Sequence, residues 1–142
     1  MSWTYEGESI DDIDSSYCGF VYLIVNKTNN KQYIGKKTLK FRKTKQVKGK
    51  KKRVYVDSDW RDYFGSSDLL KEDVKLLGEE NFERNILRFC KTKSEMSYWE
   101  AKLQFQFDVL LYPDKFYNEW VCVKTRRSHL LTKTLLLERN VP

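Results

Sequence analysis

The stretch Gly19-Phe20-Val21-Tyr22-Leu23-Ile24-Val25-Asn26, followed by Gln32-Tyr33-Ile34-Gly35-Lys36-Lys37, decides the fold. The two apolar runs flank Lys27-Thr28-Asn29-Asn30-Lys31. Asparagine-rich pairs between strand-like runs are the local chemistry of a hairpin turn. A hairpin here carries Tyr22 and Tyr33 on neighbouring strands, where residues of matching phase share a face. Gly35 then lets the following backbone turn sharply or approach a ligand closely.

Working outward, the segment after Gly35 is unusual in charge. Residues 36–53 hold eleven basic side chains and no acid, whereas the remainder holds sixteen basic against twenty acidic residues. One segment therefore produces the net charge of +7. Such a run binds a polyanion through counterion release, with affinity that falls as salt rises; a solvated loop is the plain alternative. Partial alternation in Thr38-Leu39-Lys40-Phe41-Arg42 predicts a twisted hairpin with Lys48-Gly49-Lys50 at its tip. The candidate contacts to the polyanion are Lys36, Lys37, Arg42, Lys43, Lys50, Lys51, Lys52 and Arg53, with Arg126 and Arg127 beside a Ser128 helix cap. Two tyrosines next to a phosphate-seeking segment point to phosphodiester chemistry.

At 142 residues the chain is expected to form one domain, 1–142, with a motif core at about 19–118, a basic insertion at about 36–56 and an extension at 119–142. No apolar stretch is long enough to cross a bilayer, and no secretory leader pattern opens the sequence, so an intracellular, cytoplasmic protein is expected. Cys18, Cys90 and Cys122 are odd in number and widely spaced, fitting reduced thiols better than a disulfide framework or a zinc site.

Ser67-Asp68 starts a predicted helix through Leu70, Val74 and Leu77 that Gly78 stops. Residues 81–90 carry the apolar content of a third strand without clean alternation, and Thr92 to about Leu111 is the longest helical pattern. Val121-Cys122-Val123 reads as a short strand, and Ser128 to Glu138 as a terminal helix. The expected class is α/β of the α+β type: a small central antiparallel sheet flanked by helices, with the basic hairpin or loop inserted.

Glu100 is the carboxylate of interest. On a helix it shares a largely apolar face with Met96, Leu103 and Phe107, and a carboxylate there must be paired, protonated or bound to metal. Spacing alone fits a salt bridge at the domain surface equally well. Glu95 already has structural work, because Thr92 and Glu95 form a capping-box pattern. A tyrosine acting as base needs nearby positive charge to favour phenolate, and Lys36 and Lys37 are placed to supply it. His129 is the single histidine and cannot build a metal cluster.

The ordered set Tyr22, Tyr33-Ile34-Gly35, basic residues, helical Glu100 and Tyr117-Asn118 resembles the GIY-YIG nuclease superfamily, and within it the phage-encoded Seg-like homing endonucleases. Phe20-Val21-Tyr22 stands where Gly-Ile-Tyr is usual, with Gly19 just before it. The resemblance implies a GIY-YIG-like fold and a metal-dependent endodeoxyribonuclease that acts on double-stranded DNA and leaves 3′-hydroxyl and 5′-phosphate ends. It implies Mg²⁺, with Mn²⁺ as a substitute, held by Glu100, and catalytic roles for Tyr22, Tyr33, Glu100, Asn118 and an arginine. That arginine is Arg61 if the insertion precedes its helix, or Arg42 if there is no insertion. Asn118 would pin a loop or hold a phosphate. Recognition of DNA would come from the basic insertion, the C-terminal segment or homo-oligomerisation. A phage-encoded chain would act in the host cytoplasm. A restriction, repair or host-DNA-degrading nuclease, and a non-catalytic DNA-binding module, are the alternatives.

Overall fold

The computed structural model describes residues 2–122. Its centre is a five-stranded mixed sheet in the order β2-β1-β7-β3-β4, and a separate two-stranded ribbon, β5-β6, stands beside it. The strands are β1 (Trp3–Tyr5), β2 (Glu8–Ile10), β3 (Gly19–Asn26), β4 (Gln32–Thr38), β5 (Lys40–Val47), β6 (Lys50–Asp57) and β7 (Phe82–Cys90); the helices are α1 (Asp68–Leu77) and α2 (Lys93–Gln106). The α+β class is as expected. The sheet is antiparallel except where β1 pairs parallel to β7.

The decisive hairpin forms as its sequence requires. β3 and β4 pair antiparallel with Tyr22 opposite Gly35 and Ile24 opposite Tyr33. The Asn26 carbonyl accepts from the Asn30 amide at 2.7 Å, Asn26 N–H donates to the Lys31 carbonyl, and Asn30 takes a positive φ. Asparagine tolerates that left-handed geometry better than most residues.

Caps fix both helices. The Ser67 hydroxyl accepts from Leu70 N–H at the start of α1, and Gly78, at φ +92°, ends it. The Thr92 hydroxyl accepts from Glu95 N–H at 3.1 Å. α2 ends at Gln106, short of the expected Leu111, where Asp108 adopts positive φ. Val121 and Cys122 lie outside any strand; Val123, Arg126, Arg127, His129 and the expected terminal helix lie outside the described residues.

The broken alternation of β7 has a cause. Its pairing with β3 shifts between Val21 and Tyr22, which matches Arg88 and Ile86 respectively and leaves Leu87 as an extra residue. A bulge of this kind moves later residues to the other face. Phe82 and Ile86 accordingly join Phe20, Tyr22, Ile24 and Leu70 in one core, while Cys90 joins Val21, Ile34 and Met96 in the other. The sheet thus has an apolar layer on each face, and α2 packs on β3, β4 and β7.

Candidate active site

β4 is an edge strand of the central sheet, and an edge leaves backbone groups in need of partners. The chain after α2 supplies them. Gln32 N–H donates to the Lys115 carbonyl and Tyr117 N–H to the Gln32 carbonyl, both at 2.8 Å. The Asn118 side chain then takes the place of a neighbouring strand. Its Oδ1 accepts from Ile34 N–H at 3.1 Å and its Nδ2 donates to the Ile34 carbonyl at 2.8 Å. Gln104 Nε2 donates to the same carbonyl at 2.9 Å. The Asn118 amide is thus used on the backbone of strand β4, not on a loop, and it is buried.

Over the pinned edge lies a cleft of about 480 Å³, lined by Tyr33, Lys36, Glu100, Gln104 and Asn118 among others. The Tyr33 hydroxyl shares a 2.7 Å hydrogen bond with Ser66 Oγ, and Lys36 Nζ donates to Ser97 Oγ at 2.7 Å. Burial raises the Glu100 carboxyl above the usual glutamate range, and Lys36 partly offsets the shift. This is a carboxylate that gains from a cation.

Tyr22 lies behind this cleft. It is fully buried, its ring centroid is 6.1 Å from that of Tyr33, and its hydroxyl interacts with the Tyr63 hydroxyl without a well-formed hydrogen bond. A Cβ placed on Gly35 would lie 2.5 Å from the Tyr22 hydroxyl and 2.8 Å from the Tyr33 ring. The bare glycine is thus what lets the two rings share that face of the sheet. Burial raises both phenols, Tyr22 far more than Tyr33. The expected lysine-favoured phenolate is not what forms, because desolvation dominates and the lysines are engaged elsewhere. Lys37 Nζ donates to Asp59 at 2.6 Å and lies 3.9 Å from the centre of the Tyr63 ring. Lys37, expected to contact DNA, is buried in that internal contact.

Arg61 does not reach the cleft. It belongs to a 3-10 turn, Trp60–Asp62, that precedes α1. Its guanidinium donates to Asp12 at 3.2 Å and stacks on Trp60. Ser58 Oγ donates to the Thr38 carbonyl at 2.6 Å and closes the root of the ribbon. The backbone of the turn is fixed from below by Arg84, which donates to the carbonyls of Arg61 and Tyr63. Arg42, the alternative, is exposed on β5 together with Lys43, while Lys50, Lys51, Lys52 and Arg53 are exposed on β6.

Ser66, Ser97, Gln104 and Tyr63 were not anticipated. Ser97 and Gln104 stand at i−3 and i+4 from Glu100, so helical spacing places them on its face. Ser66 directly precedes the Ser67 cap. Tyr63 carries no local signal, because only the fold brings it against Tyr22, at 6.0 Å between ring centres.

Among the described residues no group of three His, Cys, Asp or Glu side chains is placed to hold a metal ion. A single carboxylate on an open cleft fits an ion that keeps most of its ligands as water and phosphate oxygen, which is the habit of Mg²⁺. It does not fit a caged zinc.

Residues 3–121 match the family model described as "Putative endonuclease segE, GIY-YIG domain". Neither the curated proteins nor the solved structures contain a match to the chain. The family match spans most of the sequence: the chain belongs to the SegE GIY-YIG family and carries a nuclease domain. No helix among the described residues is long and apolar enough to cross a membrane.

Proposed function

We propose that this chain is a Mg²⁺-dependent endonuclease that hydrolyses phosphodiester bonds in double-stranded DNA. Its membership of the segE endonuclease family supports a reading as a phage homing-type enzyme that works in a host cytoplasm. The observation that carries the reading is the convergence of Tyr33, Lys36 and Glu100 on one cleft over an edge strand held in place by Asn118.

Glu100 would hold the cation, Mg²⁺ or Mn²⁺, which when bound polarises the scissile phosphate and stabilises the leaving oxygen. Lys36 supplies the protein's own positive charge beside the phosphate, the task that Arg61 is too far engaged with Asp12 to perform. Tyr33, with its phenol held protonated by burial, donates a hydrogen bond toward a phosphate oxygen or the attacking water. Ser66 orients that hydroxyl. Tyr22 backs the Tyr33 ring and acts as a positioning residue. The basic ribbon holds the duplex by its phosphates.

The test is nicking and linearisation of supercoiled plasmid with Mg²⁺ or EDTA, comparing the wild type with Glu100→Ala. Cleavage that needs the metal and disappears in the variant, with DNA binding retained, is the expected result. Full activity in Glu100→Ala overturns the metal assignment. Absence of cleavage by the wild type across several duplexes overturns the enzyme and leaves a binding module.

A further inference from the structure

The two faces of the β5–β6 ribbon differ in chemistry. Registry sets Arg42 opposite Tyr55 and Thr44 opposite Arg53, with Gln46 opposite Lys51. Alternation puts these on one face, with Lys40 and Asp57 at its root. The other face pairs Phe41 with Val56, Lys43 with Val54, Lys45 with Lys52 and Val47 with Lys50. Both arginines and the amide of the ribbon therefore share the first face, whereas the cations of the second are all lysine.

That segregation matters because the side chains do different work on a duplex. Lysine is a flexible point charge suited to phosphate; arginine presents a planar pair of donors and glutamine a planar donor–acceptor pair, and both match base edges. Tyr55, 65% exposed in the middle of the first face, adds a flat apolar surface between Arg42 and Arg53.

Orientation favours the same face. Lys37 Nζ, buried in the body, lies 5.0 Å from the Phe41 ring, so the root of the lysine face turns inward. Val54, on that face, is the least exposed residue of the ribbon, and its face-mates Phe41 and Val56 are only 40% and 37% exposed. The arginine face looks out.

Dimensions fit as well. Eight residues per strand give a ribbon about 25 Å long. A two-stranded ribbon enters the major groove of B-DNA, about 12 Å wide. The chain from Lys36 to Lys40 spans at most about 14 Å, so the ribbon's root and the cleft can meet one duplex. The paired lysines Lys45 and Lys52 repel one another across the ribbon, a cost that a phosphate backbone removes.

We propose that the β5–β6 ribbon reads DNA sequence from the major groove through Arg42, Arg53, Thr44, Gln46 and Tyr55, while the lysine face holds flanking phosphates. This rests on the DNA-directed reading above but not on catalysis. It is tested by binding alone, in EDTA, with the full chain and a library of duplexes carrying a randomised block. Bound molecules are sequenced for the wild type, for Arg42→Lys/Arg53→Lys, and for Lys43, Lys45, Lys50 and Lys52 all changed to Gln.

The wild type should enrich a base pattern. The arginine variant should keep its salt dependence but lose preference by about tenfold at each position an arginine read. The lysine variant should bind more weakly, with a shallower salt slope and an unchanged pattern. A wild type that enriches no pattern, or a pattern that survives Arg42→Lys/Arg53→Lys, overturns the inference while plasmid cleavage leaves the nuclease reading standing. A wild type that binds no duplex overturns it too.

Discussion

Tyr22 lies directly opposite Gly35 in the β3–β4 pairing, and its ring reaches across that bare position to meet Tyr33. The glycine of the Tyr-Ile-Gly triplet thus serves as a gap between two aromatic rings. Gly35→Ala should strain both rings and destabilise the fold by about 1–3 kcal/mol, the range for overpacked cores. Denaturant midpoints measure the loss, and cleavage should fall with it.

The two tyrosines should separate on mutation. Tyr33→Phe removes a hydroxyl at the cleft and should slow plasmid nicking about 100-fold. Tyr22→Phe removes a buried hydroxyl whose contact with the Tyr63 hydroxyl falls short of a well-formed hydrogen bond, so thermal stability should change little. Its nicking rate should fall less than that of Tyr33→Phe. Equal losses would put Tyr22 in contact with substrate.

Glu100 should cost stability at neutral pH. Its folded pKa is raised by burial, so the folded state binds its proton more readily than the unfolded state. Stability contributed by this group therefore falls as pH rises from the ordinary glutamate value, about 4.3, through the raised one. Glu100→Gln should be more stable than wild type at pH 7 without metal, and the difference should vanish toward pH 4. Parallel melting curves across that range decide it.

Asn118→Ala should leave Ile34 N–H without its partner on a buried edge. The expected cost is about 1–3 kcal/mol, read in urea, with activity falling through loss of the strand's position. Because Gln104 still serves the Ile34 carbonyl, that group stays satisfied.

The three thiols should react in order of exposure. Burial pushes Cys90 up to about 12 and raises Cys18, whereas Cys122 is exposed. Thiolate is the reactive form, so at pH 8 an alkylating reagent should take Cys122 first and reach Cys90 only after unfolding. Mass spectrometry of the labelled chain reads the sequence of events.

Short-range chemistry made much of this fold visible in advance. The Asn29-Asn30 turn, the Ser67 and Thr92 caps, the Gly78 stop and the Lys48-Gly49 ribbon tip are each set by residues within a few positions of one another. Glu100 drew attention through its spacing from Met96, Leu103 and Phe107, but in the fold Phe107 lies past the helix end, exposed, and Ser97 and Gln104 share the cleft face with Glu100. What escaped depends on distant contacts. The three-residue strands β1 and β2 carry too short a pattern to register, and β1 is held by parallel pairing to a strand some eighty residues on. The Leu87 bulge hid the period of β7. The contacts of Arg61 with Asp12 and of Lys37 with Asp59 and Tyr63 were not legible either, because those partners come together only in three dimensions.

The root of the ribbon is closed on itself: Ser58 N–H donates to the Leu39 carbonyl at 2.9 Å, and Ser58 Oγ to that of Thr38. The chain leaves the body and returns at one point, and everything between those residues belongs to a sheet of its own. Away from the root, where Phe41 meets the buried Lys37, changes in the ribbon therefore touch little of the core. Seventeen exposed positions between Lys40 and Asp57 are open to drift, and the DNA reading proposed for them can change while the cleft beside β4 is inherited intact.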